Sequence, residues 1–418
     1  MSDPRYNPTN LKTTNFFKPL KLSDKITLQH RGVLAPLTRF RADKEHVPNL
    51  STDYAETDDW KKFISESSNK TSEKKRGLVE EYYFQRSQKP GTLLITEATF
   101  ISPKAGGYAY APGIYNEAQV KNWTKIADAV HENGSYIFVQ LWNLGRAADP
   151  AVLKKDGLPY ISSSDKYILK GDYMETRKKS LESGNKLRPV TLEEIEQFKK
   201  DYISATRNSF EAGIDGVELH SANGYLLNQF LDKVANQRND KYGAQNFENR
   251  SRLLLEVFDE LVEEFGSDRI ALRLSPFGAF GDMSGPDDVS DTISFYTYLY
   301  KEFEKRKLNG KGPVYISLVE PRDDDVSPEP EMKFSNEFIF DHFSGIVIRA
   351  GSILLDNDYT KKIINQNDRT LIAFGRYFIS NPDLIERLEN EWPINKYDRG
   401  SFYSPGYKGY IDYPYYKK

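Results

Sequence analysis

The chain has 418 residues, of which 28% are charged and 13% aromatic, and it contains no cysteine. Without thiols there is no disulfide framework, thiolate nucleophile or iron–sulfur cluster, and the five scattered histidines offer no H-x-x-x-H pair to hold a metal. A formal charge of −3, from 58 basic against 61 acidic residues, excludes an electrostatically driven nucleic-acid binder. Taken in chain order, the first element is Leu20–Arg31, which reads as a hairpin, followed by a short apolar run at Arg31–Pro36. Further runs follow at Thr92–Ala98, Tyr136–Trp142, Gly216–His220, Ile270–Pro276, Val314–Pro321, Gly345–Gly351 and Leu371–Arg376. Each is too short for a helix, rich in β-branched residues and nearly continuous in hydrophobicity, as expected of parallel strands buried on both faces.

Helical patterns fall between these runs. Val120, Trp123, Ile126 and Val130 recur at helical spacing. Thr191-Leu-Glu-Glu194 forms a capping box with Val190 and Ile195 placed as a staple, predicting a helix to Ala212 that Gly213 stops. Leu254, Val257, Leu261 and Phe265 mark another, ended by Gly266, and the last helix is predicted to begin at Asn381-Pro382. Eight such units predict an α/β fold, a single (β/α)8 TIM barrel over residues 1–418, with the N-terminal hairpin across its lower mouth. Residues 50–77, rich in Ser, Thr, Lys, Asp and Glu, are an atypical polar insertion in the loop after strand 1. Their composition favours a mobile solvated loop over a lid. The polar N-terminus carries no apolar signal core, no run of about 18 apolar residues exists, and a cytoplasmic protein that touches neither membrane nor nucleic acid is expected.

Chemistry on such a barrel sits at the C-terminal ends of the strands. Those ends carry Thr38, Glu97, Gln140 with Trp142, His220, Arg273, Glu320 with Arg322, Gly351 with Ser352, and Gly375 with Arg376. No G-x-G-x-x-G or Walker-type loop follows a strand. The glycines after the seventh and eighth strands lie where barrels often bind phosphate, although tight turns explain them equally well. Glu97 and Glu320 raise a glycosidase reading, which needs two carboxylates in one cleft about 5–10 Å apart, but Arg322 invites Glu320 into an ion pair. The sharpest cluster is His220-Ser-Ala-Asn223-Gly-Tyr225. His220 and Asn223 can polarise a carbonyl oxygen, and Tyr225, protonated at neutral pH, can act as a general acid. A satisfied core histidine and a tyrosine packed at the rim is the bland alternative.

This cluster resembles the active-site segment of the old yellow enzyme family, flavin-dependent ene-reductases built on this barrel. The likeness extends to Leu34-Ala-Pro-Leu-Thr38-Arg-Phe-Arg-Ala42, Leu94-Ile-Thr-Glu-Ala98, Val139-Gln-Leu-Trp142 and Leu272-Arg-Leu-Ser-Pro276. It continues through Leu318-Val-Glu-Pro-Arg322, Ile348-Arg-Ala-Gly351 and Phe374-Gly-Arg-Tyr-Phe-Ile-Ser-Asn-Pro-Asp383, all in the expected order and nearest the fungal branch. The resemblance implies tightly but noncovalently bound FMN, NADPH as reducing co-substrate, and no metal. It places Thr38 on the flavin O4, Gln140 and Arg273 on the pyrimidine edge, and Gly351, Ser352, Gly375 and Arg376 on the phosphate. Pro36, Ala98 and Phe402 should line the ring system. Tyr403, Trp142, Phe280 and Phe40 should shape the substrate side, where His220 and Asn223 hold the carbonyl and Tyr225 protonates the α-carbon.

The implied reaction is ping-pong reduction of the C=C bond of enones and enals, with phenols as further ligands and a homodimer among the assemblies the family allows. A flavoprotein that merely stores phenols or steroids is the alternative, and retention of all three donors argues against it. Ser352 replaces a frequent asparagine, whose backbone role in binding phosphate it can keep. Ala98 replaces a common glycine beside the flavin, where a slight shift of the ring or its potential is expected. The 50–77 insertion leaves the first strand on the catalytic face, where it would bear on substrate access.

Overall fold

The computed structural model describes residues 3–6, 8, 10–48, 57–66, 76–321, 334–351, 353–355 and 357–417. All eight apolar runs are strands: β1 (Gly32–Leu34), β2 (Leu93–Ile95), β3 (Tyr136–Trp142), β4 (Gly216–Ser221), β5 (Ile270–Leu274), β6 (Ile316–Val319), β7 (Val347–Ala350) and β8 (Thr370–Phe374). Each pairs in parallel with the next in chain order, and β8 returns to β1 through Ala373 opposite Val33, closing the barrel. Several strands, such as β1 and β2, are shorter than their apolar runs because the residues beyond them, such as Pro36 and Glu97, turn over the barrel rim.

The alternation of side chains along a strand sorts these residues into two cores. Ile137, Val139 and Leu141 of β3 face the outer layer with Val217 and Leu219 of β4, whereas Phe138 points inward with Val33, Leu93, Ala271 and Ile348. Gly216 has a steric reason: a Cβ there would lie 2.3 Å from Phe138 Cζ, so only glycine lets that ring fill the interior. The hairpin pairs Leu20 with Leu28 and adds Leu22, Ile26 and Leu28 to the inner core. Continuing the alternation upward puts Gln140, Glu218, His220 and Arg273 inside. Register then sets Gln140 beside Glu218 and His220 beside Arg273.

Helices cover the outside. α1 (Asp58–Glu66) and α2 (Leu78–Arg86) follow β1, and α3 (Glu117–Glu132) follows β2. α4 (Leu192–Glu211) starts at the expected capping box, where Thr191 Oγ1 accepts from Glu194 N–H and Glu194 accepts from Thr191 N–H. α5 (Phe247–Phe265) ends at Gly266, α6 (Val289–Leu308) follows β5, and α7 (Asn357–Asn365) follows β7. α8 (Leu384–Asn390) begins after Asp383 rather than at Asn381-Pro382. Asn381 is engaged instead: its amide donates to Tyr377 O and its oxygen accepts from Asn395 N–H. None of the helices among the described residues is long and apolar enough to cross a membrane.

Part of the 50–77 insertion departs from the solvated loop expected of it. Residues 50–56 and 67–75 lie outside the described residues, but α1 between them is an ordered helix. Its Trp60 is buried with its edge against Tyr407, 5.8 Å between centroids, and Asp59 pairs with Lys408 at 3.1 Å. One large apolar ring in an otherwise polar stretch is enough to dock it onto the C-terminal segment.

His30, beneath the barrel, accepts from Gly32 N–H at Nδ1, so its Nε2 carries the proton toward Thr92 Oγ1, 2.9 Å away. Burial, helped by Lys89, pushes its pKa down to about 3. The unfolded chain therefore binds a proton that the folded chain refuses as pH falls from about 6.5 toward 3, and stability drops across that window. The variant His30→Gln is expected to flatten this slope by about 2 kcal/mol between roughly pH 6.5 and 4.5. Urea unfolding at both pH values checks it, and parallel pH dependence in the two proteins would contradict it.

Candidate active site

A cavity of about 270 Å³ opens at the C-terminal ends of the strands, just under the roughly 300–1,000 Å³ of small-molecule sites. Seven of the expected residues line it: Pro36, Arg273, Gly351, Gly375, Arg376, Phe402 and Tyr403. Arg5 and Arg399 join them, so that among the described residues four arginines and no carboxylate line it. Such a cavity attracts an anion, and guanidinium groups suit phosphate in particular. Arg5 reaches the wall because Asp3 and the Tyr377 hydroxyl hold its guanidinium at 2.8 and 2.9 Å. Arg376 donates to Tyr397 Oη at 3.1 Å. Ser352 lies outside the described residues.

A second cluster adjoins the cavity. Trp142 stacks near-parallel to His220 at 6.3 Å, and both present edges to Tyr225 at 4.8 Å. Ala98 belongs to the same buried group as Trp142 and Tyr225. Phe40 contacts Tyr403 of the cavity wall and Tyr108, and Tyr108 contacts Trp142, so rings connect the two clusters. Thr38 is half-buried and follows Leu37, which lines the cavity. Phe280 is 43% exposed at the rim, edge-on to Tyr173.

The loop after β4 is held in one shape. Asn223 adopts φ 56° and its N–H donates to Ser275 Oγ at 2.9 Å. Gly224 follows at φ 76°, where a Cβ would meet Phe280 O at 2.5 Å. Gln229 then donates to Gly224 O, and Gly224 N–H donates to Asn228 Oδ1. This fixes Asn223 and Tyr225 relative to the end of β4.

Burial sets the protonation states. It holds His220 well below the ordinary imidazole range, with Arg273 adding to the effect, so the ring is neutral. Its Nδ1 is buried with no protein partner, as is Trp142 Nε1. Burial also holds Tyr225 well above the ordinary phenol range, so the hydroxyl keeps its proton. Below them Gln140 donates to Glu218 at 2.6 Å, and burial raises the pKa of that carboxyl while Arg273 opposes it. The site therefore offers neutral donors beside fixed cations. Among the described residues no group of three or more histidines, aspartates or glutamates converges as a metal would require.

Both glutamates of the glycosidase reading are occupied elsewhere. Glu97 accepts from the Arg39 backbone N–H at 3.0 Å, and burial pushes its pKa up to about 7. Glu320 forms an ion pair with buried Arg349 at 2.6 Å; the expected partner, Arg322, lies outside the described residues. Arg349 points outward from β7 and so reaches the carboxylate at the neighbouring strand's end.

Residues that sequence reasoning missed come from outside the strands. Arg5 lies in the N-terminal segment, Arg399 and Tyr397 in the C-terminal one, and Tyr173 in the excursion after β3. Arg39 and Arg41 stood inside a quoted motif, but only the structure reveals that they bind the C-terminal carbonyls.

Comparison with known proteins agrees with this arrangement. Residues 63–395 match the model of the NADH:flavin oxidoreductase / NADH oxidase family. The chain is 43% identical to enoate reductase 1 of Kluyveromyces lactis, with 100% of this chain and 98% of that protein covered. It is 42% identical to a probable NADPH dehydrogenase of Candida albicans, over 97% and 92% of the two chains. The crystal structure of Old Yellow Enzyme from Pichia sp. AKU4542 superposes with a TM-score of 0.83 at 41% identity, covering 97% of this chain and 94% of that one.

Proposed function

The chain belongs to the NADH:flavin oxidoreductase / NADH oxidase family, and on that footing we propose that it is an FMN-dependent NADPH dehydrogenase that reduces the C=C bond of α,β-unsaturated carbonyl compounds. The observation that carries this reading is the pairing of an arginine-lined cavity with neutral His220 and protonated Tyr225 beside it. The residues present fit FMN: Arg5, Arg273, Arg376 and Arg399 bring positive charge to the cavity wall, which suits its phosphate. In the adjoining cluster, His220 Nδ1 and Trp142 Nε1 are buried with no hydrogen-bond partner among the described residues.

Gly351, Gly375 and Arg376 would hold the phosphate, with Ser352 beside them. Gln140 and Arg273 would bind the pyrimidine edge and Thr38 the opposite carbonyl, with Pro36, Ala98 and Phe402 lining the rings. When bound, FMN supplies the redox chemistry, taking a hydride equivalent from NADPH and passing it on to the β-carbon of the enone. His220 and Asn223 donate to the substrate carbonyl oxygen, where negative charge builds up. Because His220 is neutral, it stabilises that charge by a hydrogen bond without adding a full positive charge beside Arg273. Tyr225 gives its proton to the α-carbon. Trp142, Phe40, Tyr403 and Phe280 wall the substrate and exclude water.

A visible spectrum tests the reading. The purified protein is expected to be yellow, to bleach with NADPH and to recover its colour with cyclohexenone. A colourless protein that takes up no added FMN would refute the cofactor assignment. Bleaching without recovery would instead favour a flavoprotein that binds phenols or steroids.

A further inference from the structure

A tyrosine that spends its proton in a dry pocket creates two difficulties. The phenolate left behind is disfavoured by the same burial that holds Tyr225 protonated, and a new proton must reach the oxygen before the next turnover. Tyr225 is only 9% exposed and is walled by Trp142 and His220.

The Tyr173 hydroxyl lies 3.2 Å from the Tyr225 hydroxyl. Tyr173 belongs to the short 3-10 turn Gly171–Tyr173, in the excursion between β3 and α4. Its ring is half-buried, with its edge against Phe280 at 5.3 Å, and Phe280 and neighbouring Met174 are exposed. Tyr173 thus meets the buried donor with its hydroxyl, while its ring packs on the solvent-facing rim. The proton of neighbouring Tyr108 is committed to Ala147 O at 2.8 Å. A rotation about its C–O bond lets the Tyr173 hydroxyl either accept from Tyr225 or donate to it.

We propose that Tyr173 is the positioning and proton-relay residue for Tyr225, steadying the phenolate and returning a solvent proton to it. The proposal rests on the reading of Tyr225 as proton donor. As the Tyr225 O–H bond breaks, its proton forms the new C–H bond at the α-carbon. Tyr173 turns its hydroxyl to the phenolate, its O–H bond breaks, and Tyr225 regains a proton. A proton from bulk solvent at the rim restores Tyr173. The sum is the single proton that enone reduction consumes, and Tyr173 undergoes no change in oxidation state. A hydrogen bond to a charged oxygen is stronger than one between two neutral hydroxyls, so Tyr173 acts mainly where the charge appears.

Stopped-flow measurements on the FMN-loaded protein test this. The variant Tyr173→Phe keeps the ring and its packing on Phe280 and loses only the hydroxyl. Reduction by NADPH, and reoxidation by ferricyanide, which takes electrons without needing a proton on carbon, are expected to be unchanged. Reoxidation by cyclohexenone should slow by about ten- to a hundredfold, the effect of losing one charge-assisted hydrogen bond, with a larger solvent deuterium isotope effect. In a Tyr225→Phe background the same substitution should add nothing.

Wild-type enone rates and isotope effect in Tyr173→Phe, while Tyr225→Phe is slow, would overturn the relay alone. An equal further loss in the Tyr225→Phe background, or equal slowing with ferricyanide, would reduce Tyr173 to a packing role and overturn it too. An unimpaired enone step in Tyr225→Phe would remove the donor reading and the relay together.

Discussion

Replacing Tyr225 with phenylalanine is expected to leave the reaction with NADPH intact while slowing reoxidation by an enone about a hundred- to ten-thousandfold, the usual contribution of a positioned general acid. Two features of the site lead to this expectation. The loop after β4 is pinned by Ser275, Asn228 and Gln229, so the hydroxyl is held rather than free to wander. Burial keeps the phenol protonated, so the donor is present throughout the physiological range. The enone step should therefore stay flat from about pH 6 to about pH 9, below the ordinary phenol value near 10. His220 adds no titration there, because burial and Arg273 keep it neutral. Stopped-flow absorbance of the two half-reactions separates the steps. Equal losses in both would show that the substitution disturbed flavin binding and would contradict the donor role.

The barrel was legible because parallel strands are buried on both faces, so each wrote itself as an unbroken apolar run. His220, Arg273 and Gln140 were legible for a related reason: a polar residue inside such a run has to face something polar, and strand ends are where barrels keep their sites. The resemblance turned those positions into roles. Arg5, Arg399 and Tyr173 carried no comparable signal. They reach the site from irregular segments, where neither periodicity nor position relative to a strand says which way a side chain points. Composition misled at Trp60, where one ring decided the outcome for a stretch otherwise made of polar residues. At Glu320 an ion pair runs across the sheet to Arg349, on the next strand, a partner that closeness in sequence does not suggest.

The C-terminal segment supports the second large effect. Phe402 and Tyr403 wall the cavity, yet beyond the short 3-10 turn Arg399–Ser401 the segment has little regular structure to hold it. Its carbonyls are taken instead by two buried arginines from the loop after β1. Arg39 donates to Phe402 O at 3.0 Å and Gly409 O at 2.8 Å, and Arg41 donates to Phe402 O at 2.8 Å and Ser401 O at 3.2 Å. Tyr410, stacked on Tyr82 at 4.3 Å, lies against both guanidinium groups at 4.9 and 4.6 Å. Arg39→Met keeps most of the volume but leaves Gly409 O without this donor and Arg41 alone on Phe402 O. Two hydrogen bonds from a charged group contribute about 1.5–3 kcal/mol each, but Arg39 Nη1 is itself buried without a partner, which offsets part of that gain. The expected loss is therefore about 2 to 3 kcal/mol in denaturant unfolding, together with roughly tenfold faster release of FMN as Phe402 and Tyr403 loosen. Fluorescence of released flavin and the denaturation midpoint measure the two effects. A stable variant that keeps its flavin would mean that the aromatic packing of Tyr82 and Tyr410 alone holds the segment over the site.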